Sequence, residues 1–156
     1  MGAGKSSVGT ILAQLMGWPF VDLDMVIEAG QGATIRQIFE KAGETFFRQI
    51  EHAALVEVVR KAPAVIALGG GTFVQSSNFD LICQTRGATI WLDCPIEELW
   101  QRCSTMDNRP LFRDRESFFR LYEQRLPYYR KAEFRIATGA RTPEEIVQEI
   151  LRLELF

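Results

Sequence analysis

Residues 1–9 read "MGAGKSSVG" and residues 10–17 continue "TILAQLMG". How this stretch is read decides how the rest of the chain is read. In a phosphate-binding loop, successive backbone N–H groups curl around phosphate oxygens, and glycine lets the chain come that close. The loop pattern is G-x-x-x-x-G-K-[ST]. Gly4, Lys5 and Ser6 supply its end, while its first glycine falls ahead of residue 1. A plain glycine–lysine turn is the competing reading of so short a string. Val8, Ile11, Leu12 and Leu15 then recur at helical spacing, closed by Gly17 as a C-cap. A helix starting at Lys5 would aim its positive dipole end at the same phosphates. Gly2, Ala3, Gly4, Lys5, Ser6 and Ser7 are therefore the candidate nucleotide-binding residues. Lys5 would neutralise β/γ-phosphate charge and the Ser6 hydroxyl would ligate Mg²⁺.

Downstream, the pattern alternates. "PFVDLD" (19–24) reads as a short buried strand ending in acid. Thr34 followed by Gln37 is a capping box opening a helix through "IRQIFEKAG", and a second helix is expected from about Glu44 to Lys61. "AVIALGGG" (64–71) and "ATIWLDC" (88–94) are apolar runs of parallel-strand type. Pro95 sits at a helix N1 position, and that helix is expected to end near Cys103. The polar, proline-broken "STMDNRPLFRDR" (104–115) reads as a mobile lid, followed by a helix from about Glu116 to Arg130 that tolerates Pro127. "AEFRIA" (132–137) is the last strand, and Thr142, Pro143 and Glu145 open the final helix. Strands alternating with helices predict one α/β domain over 1–156, a mainly parallel sheet flanked by helices on both faces, with a lid at about 104–116.

Three further groups of residues carry chemistry. Asp22 and Asp24 alternate along a strand end and would point to one face. One could hold Mg²⁺ or its water while the other accepts a hydroxyl proton, although a helix N-cap at Asp24 is the plainer reading. The Gly69-Gly70-Gly71 turn follows a strand at its carboxyl end, where ligands bind in open α/β sheets. Arg48 and Arg125 each stand beside aromatic residues. They could snorkel over the core, or together clamp one carboxylate. Arg109, in "NRPLF", could fold onto a transferring phosphoryl group.

Composition narrows the class. Charged residues make up 24% of the chain and net charge is −2, so nothing in the bulk charge suggests nucleic acid. No apolar run approaches the ~18 residues of a membrane helix, and no signal peptide is read. Three cysteines without a C-x-x-C pair read as reduced, small residues of a cytoplasmic protein. The single histidine, His52, nearly excludes a His-based triad or zinc site and is expected on a helix surface.

Taken together, "GAGKSSVG", "FVDLDMVIE", "IRQIFEKAGETFFRQIE", "VIALGGGT", "RPLF" and "QRLPYYRKAEFRI" resemble shikimate kinase, a small P-loop kinase of the nucleoside-monophosphate-kinase type. The motifs run in the family's order over essentially the whole chain. The resemblance implies transfer of the ATP γ-phosphoryl group to the 3-hydroxyl of shikimate, a step towards chorismate and the aromatic amino acids, in a monomer with no nucleic-acid or membrane partner. It implies that Lys5 and Ser6 serve ATP and Mg²⁺, and that Asp22 is a second metal-side carboxylate. Asp24 would hold the shikimate hydroxyl and take its proton. Arg48 and Arg125 would bind the shikimate carboxylate in a pocket lined by Gly69, Gly70 and Gly71. Arg109 would be the lid arginine, and Arg102 and Arg141 would lie by the adenine.

Two departures from the family accompany this. Asn78, Phe79 and Asp80 stand where the family often has an Asn-Arg pair, a change expected to matter little. The family's central strand and the start of its loop precede the stretch matching residue 1, so the natural protein is expected to extend roughly 10–15 residues upstream, a strand rising about 3.3 Å per residue. Without that strand its two neighbours would stand about 9–10 Å apart, flanking a void. Two other readings compete, a gluconate-kinase-like enzyme and a non-catalytic relative acting as a binding module. Arg48, Arg125 and the glycine turn argue against the first, and the retained Lys5, Asp22, Asp24 and Arg109 against the second.

Overall fold

The structure, a computed structural model, describes residues 2–61, 63–104 and 114–155. Arg109 and most of the expected lid lie outside the described residues. In chain order come α1 (Lys5–Met16), β1 (Phe20–Asp22), α2 (Leu23–Gln31), α3 (Ile35–Val59) and β2 (Val65–Ala67). A 3₁₀ turn (Thr72–Val74), α4 (Ser76–Gln84), β3 (Ile90–Asp93), α5 (Ile96–Ser104), α6 (Arg115–Tyr129), β4 (Phe134–Ala137) and α7 (Pro143–Arg152) complete it.

The strands alternate with helices as the apolar runs require, and all observed pairings are parallel. β1 pairs with β2, placing Asp22 opposite Ala67. β3 pairs with β4, placing Asp93 opposite Ala137. Among the described residues these form two separate two-stranded sheets, since β2 and β3 do not pair. Between them lies a cavity of about 300 Å³, lined mainly by apolar side chains of β2, β3 and α1.

Each half has its own core. Leu23, Ile27, Phe47, Leu55 and Ile82 bury α2, α3 and α4 against the first sheet. Val8, Leu12, Ile136, Val147 and Ile150 bury α1 and α7 against the second. Helix α1 joins the halves, because Val65 of β2 also packs on this second cluster. A third cluster, with Cys94, Leu99, Cys103 and Phe118, ties α5 and α6 to Ala3 of the glycine loop.

Helix ends follow local chemistry. Thr34 and Gln37 form the expected capping box, as do Thr142 and Glu145, with Pro143 in the first turn of α7. The expected break between two helices is a kink at Gly43, whose φ of 78° an L side chain rarely adopts. Asp114 and Ser117 form a third capping box, opening α6 one residue ahead of the expected Glu116. Pro95 stands one position earlier than expected, with its carbonyl accepting from the Leu99 N–H just before the first residue of α5. Cys94 and Cys103 are buried and Cys83 is exposed, all as free thiols. Burial pushes the Cys94 thiol above its ordinary range.

Candidate active site

The site begins at the glycine loop. Gly4 enters α1 in a left-handed conformation with φ of 83°, and no side chain caps the helix. The first-turn N–H groups of α1 thus receive no capping side chain, the arrangement by which a helix start can bind an anion. The Gly2 backbone is pressed against α5, where an added Cβ would stand 2.9 Å from Cys103 Sγ. Arg102 reaches back from α5 to the Gly2 carbonyl at 3.3 Å while pairing with Glu98. Arg102 therefore borders the loop. Arg141 is turned elsewhere, its guanidinium donating to the carbonyls of Ala137 and Glu145 and pairing with Glu149.

The Ser6 hydroxyl donates to Asp22 Oδ2 at 2.9 Å, joining the start of α1 to the end of β1. Asp22 is also the N-cap of α2, with Oδ1 accepting from the Asp24 N–H at 3.1 Å. This corrects the sequence reading in one respect. The strand stops at Asp22, so Asp24 is not its alternate residue but sits in the first turn of α2, and the capping residue is Asp22. The two carboxylates consequently have different surroundings.

Asp24 points to the glycine turn. A Cβ added at Gly69 would stand 2.9 Å from Asp24 Oδ1, and one added at Gly71 would stand 2.6 Å from Arg48 Nη2. The carboxylate and the guanidinium thus lie against the two ends of one three-glycine turn, and any larger residue there would displace them. Lys5, Gly69 and Gly70 border the same cavity, which brings the loop lysine and the turn to one space.

Arg48 is held by Glu44 at 3.0 Å and by Glu51 at 2.8 Å, and it lies over the Phe47 ring. Glu51 is 1% exposed, a buried carboxylate that its partners must satisfy. Its Oε1 accepts from Thr72 Oγ1 at 2.6 Å, directly after the glycine turn. Arg125, on α6, is 7% exposed and lies beside Tyr129. Tyr129 donates its hydroxyl to the Gly70 carbonyl at 2.6 Å. Burial raises the Tyr129 pKa, an effect the nearby Arg125 partly offsets, so the phenol keeps the proton it donates.

Sequence reasoning missed Glu51, Thr72, Asn78 and Tyr129. Nothing in local spacing marks them, although "GGGT" at 69–72 and "PYY" at 127–129 placed two of them beside known candidates. His52 and Asn78 need correction. His52 is not a plain surface residue but half-buried, with Nδ1 2.7 Å from Asn78 Oδ1. Asn78 is fully buried and donates to the Thr72 carbonyl at 3.1 Å, so its position behind the turn is not incidental.

This arrangement can be set against known proteins. A sequence model of the family described as shikimate kinase matches residues 1–154. A shikimate kinase of Persephonella marina is 39% identical over 152 residues, covering 97% of this chain and 92% of that protein. The chain belongs to the shikimate kinase family. The family's Aquifex aeolicus member is 37% identical over 152 residues, covering 97% of this chain and 89% of its own length. A solved shikimate kinase from Acinetobacter baumannii, in complex with shikimate, superposes with a TM-score of 0.94 at 40% identity, covering 99% of this chain and 88% of that one. The shikimate kinase fold is thus the P-loop α/β kinase fold expected from the sequence.

Proposed function

We propose that this chain, an ATP-dependent kinase of the shikimate kinase family, phosphorylates the 3-hydroxyl of shikimate with the residues gathered at the glycine turn. The observation that carries this reading is the turn itself, with Asp24 against Gly69 and Arg48 against Gly71. An acidic polyol needs a hydroxyl acceptor and a carboxylate clamp at fixed separation, and the turn holds one at each end. Asp24 accepts the hydroxyl proton as the shikimate O–P bond forms and the bond between the γ-phosphorus and its bridging oxygen breaks, with ADP leaving. Arg48 and Arg125 bind the carboxylate, charge-assisted contacts of the stronger kind. Lys5 and the α1 N-terminus stabilise the charge on the transferring phosphoryl group.

The Ser6 and Asp22 oxygens, 2.9 Å apart, suit a hard cation such as Mg²⁺, which takes few protein ligands beside water and phosphate oxygens. Held by Ser6 and Asp22, such an ion would supply neutralisation of phosphate charge during transfer. The role of Arg109 as the lid arginine rests on its motif alone, in a lid at about 104–116. Arg102 is the better supported of the two adenine-side arginines, because it touches the loop while Arg141 is committed to α7. Among the described residues no helix is long and apolar enough to cross a membrane.

The test is shikimate-dependent release of ADP from ATP and Mg²⁺. Release with shikimate and none with gluconate supports the reading, and absence of release with shikimate overturns it. In the same assay Gly71→Ala is expected to raise the shikimate KM on the order of 10- to 100-fold, since small misplacements of positioning groups carry such costs. Glu44 and Glu51 hold the displaced guanidinium from behind, so it has little room to give way. An unchanged shikimate KM would show that Arg48 does not meet the substrate.

A further inference from the structure

A single chain of hydrogen bonds runs from the half-buried His52 to the candidate carboxylate clamp. It passes from His52 Nδ1 to Asn78 Oδ1 at 2.7 Å, and from Asn78 Nδ2 to the Thr72 carbonyl at 3.1 Å. It continues from Thr72 Oγ1 to Glu51 Oε1 at 2.6 Å, and Glu51 Oε2 holds Arg48 Nη1 at 2.8 Å. Asn78, Thr72 and Glu51 are all buried, so the two inner links are formed away from water, where a broken one leaves an unsatisfied polar group.

The chemistry of the groups fixes the direction of the chain. The Thr72 carbonyl can only accept, so the Asn78 amide nitrogen must face it. That turns Asn78 Oδ1, an acceptor, towards His52, and the imidazole Nδ1 must then carry a proton. The histidine is thereby assigned its Nδ1–H form when neutral.

We propose that His52 and Asn78 are positioning residues for shikimate binding. They act through Thr72 and Glu51 to hold the glycine turn and to aim the Arg48 guanidinium. This rests on the reading of Arg48 as a shikimate-carboxylate ligand. Neither residue reaches the substrate itself. Helix α4, which carries Asn78, and the face of α3 that carries His52 form the back wall of the site, and the wall sets the angle of the clamp. Thr72 is the pivot, since its carbonyl faces α4 and its hydroxyl faces Glu51.

Three enzymes test this, the parent, His52→Leu and His52→Asn, with His52→Asn keeping a donor near the position of Nδ1. Shikimate binding is measured by calorimetry, and KM is measured for both substrates. His52→Leu should weaken shikimate binding and raise its KM roughly 3- to 10-fold, the effect of one net hydrogen bond. The ATP KM should stay within about twofold. His52→Asn should recover most of the loss. Parallel increases in both KM values, an unaltered shikimate KM in His52→Leu, or no recovery in His52→Asn would each overturn the inference. A parent enzyme that fails to bind shikimate would instead overturn the functional reading, and this inference with it.

A second measurement needs no variant. His52 is the only histidine in the chain, so its ring nitrogens give unambiguous ¹⁵N resonances. The Nδ1–H form should dominate when the ring is neutral. A dominant Nε2–H form would break the chain at its first link.

Discussion

Asp24→Asn is expected to bind ATP as the parent does and to turn over about 10²- to 10⁴-fold more slowly, the usual effect of removing a general base. The substitution keeps the size and planarity of the side chain, so its position against Gly69 can survive. It removes the one property the proposed step needs, an oxygen that can take a proton. Nucleotide binding should be spared because the proposed ATP contacts come from the glycine loop and α1. The Ser6–Asp22 contact, at the proposed metal-side oxygens, is likewise made without Asp24 side-chain atoms. The check is kcat in a coupled ADP assay alongside the nucleotide Kd by calorimetry. A kcat within a few-fold of the parent would remove Asp24 from the role of base, and loss of nucleotide affinity would place it in the ATP site instead.

Arg125→Ala is expected to raise the shikimate KM by about 10- to 150-fold, corresponding to roughly 1.5–3 kcal/mol for a hydrogen bond to a charged group. The ATP KM should change little. Arg125 is buried, so truncation also removes packing around Tyr129, whose hydroxyl fixes Gly70. Arg125→Lys separates the two effects. It keeps a cation and most of the stem while losing the planar two-pronged donor, and should still raise the shikimate KM substantially. Equal increases in both KM values, in either variant, would argue for a structural arginine rather than a clamp.

Much of the fold was legible because its signals are local. Helical spacing in 8–15, the Thr34–Gln37 and Thr142–Glu145 boxes, and the break at Gly43 depend on neighbours within one or two turns. The apolar runs named all the strands found among the described residues, and the gap expected between two of them is where the strands divide into two sheets. The candidate site was legible where its residues are contiguous in sequence, as with the loop around Lys5 and the turn at Gly69 and Gly70, which border one cavity. Asp24 was placed on the wrong element because a three-residue strand and a helix N-terminus share one acidic string. Glu51, Asn78 and Tyr129 escaped because each matters through a partner distant in sequence. Asn78 meets His52 across 26 positions and Tyr129 meets Gly70 across 59. Burial turns an ordinary glutamate into a fixed anchor, and burial is decided only when the helices pack.

Helix α6 carries Arg125 and Tyr129 about one turn apart, and the Tyr129 hydroxyl is tied to the Gly70 carbonyl. Any tilt of that helix therefore carries the glycine turn and the Arg125 guanidinium along together, so the two sides of the pocket keep their register as the helix moves.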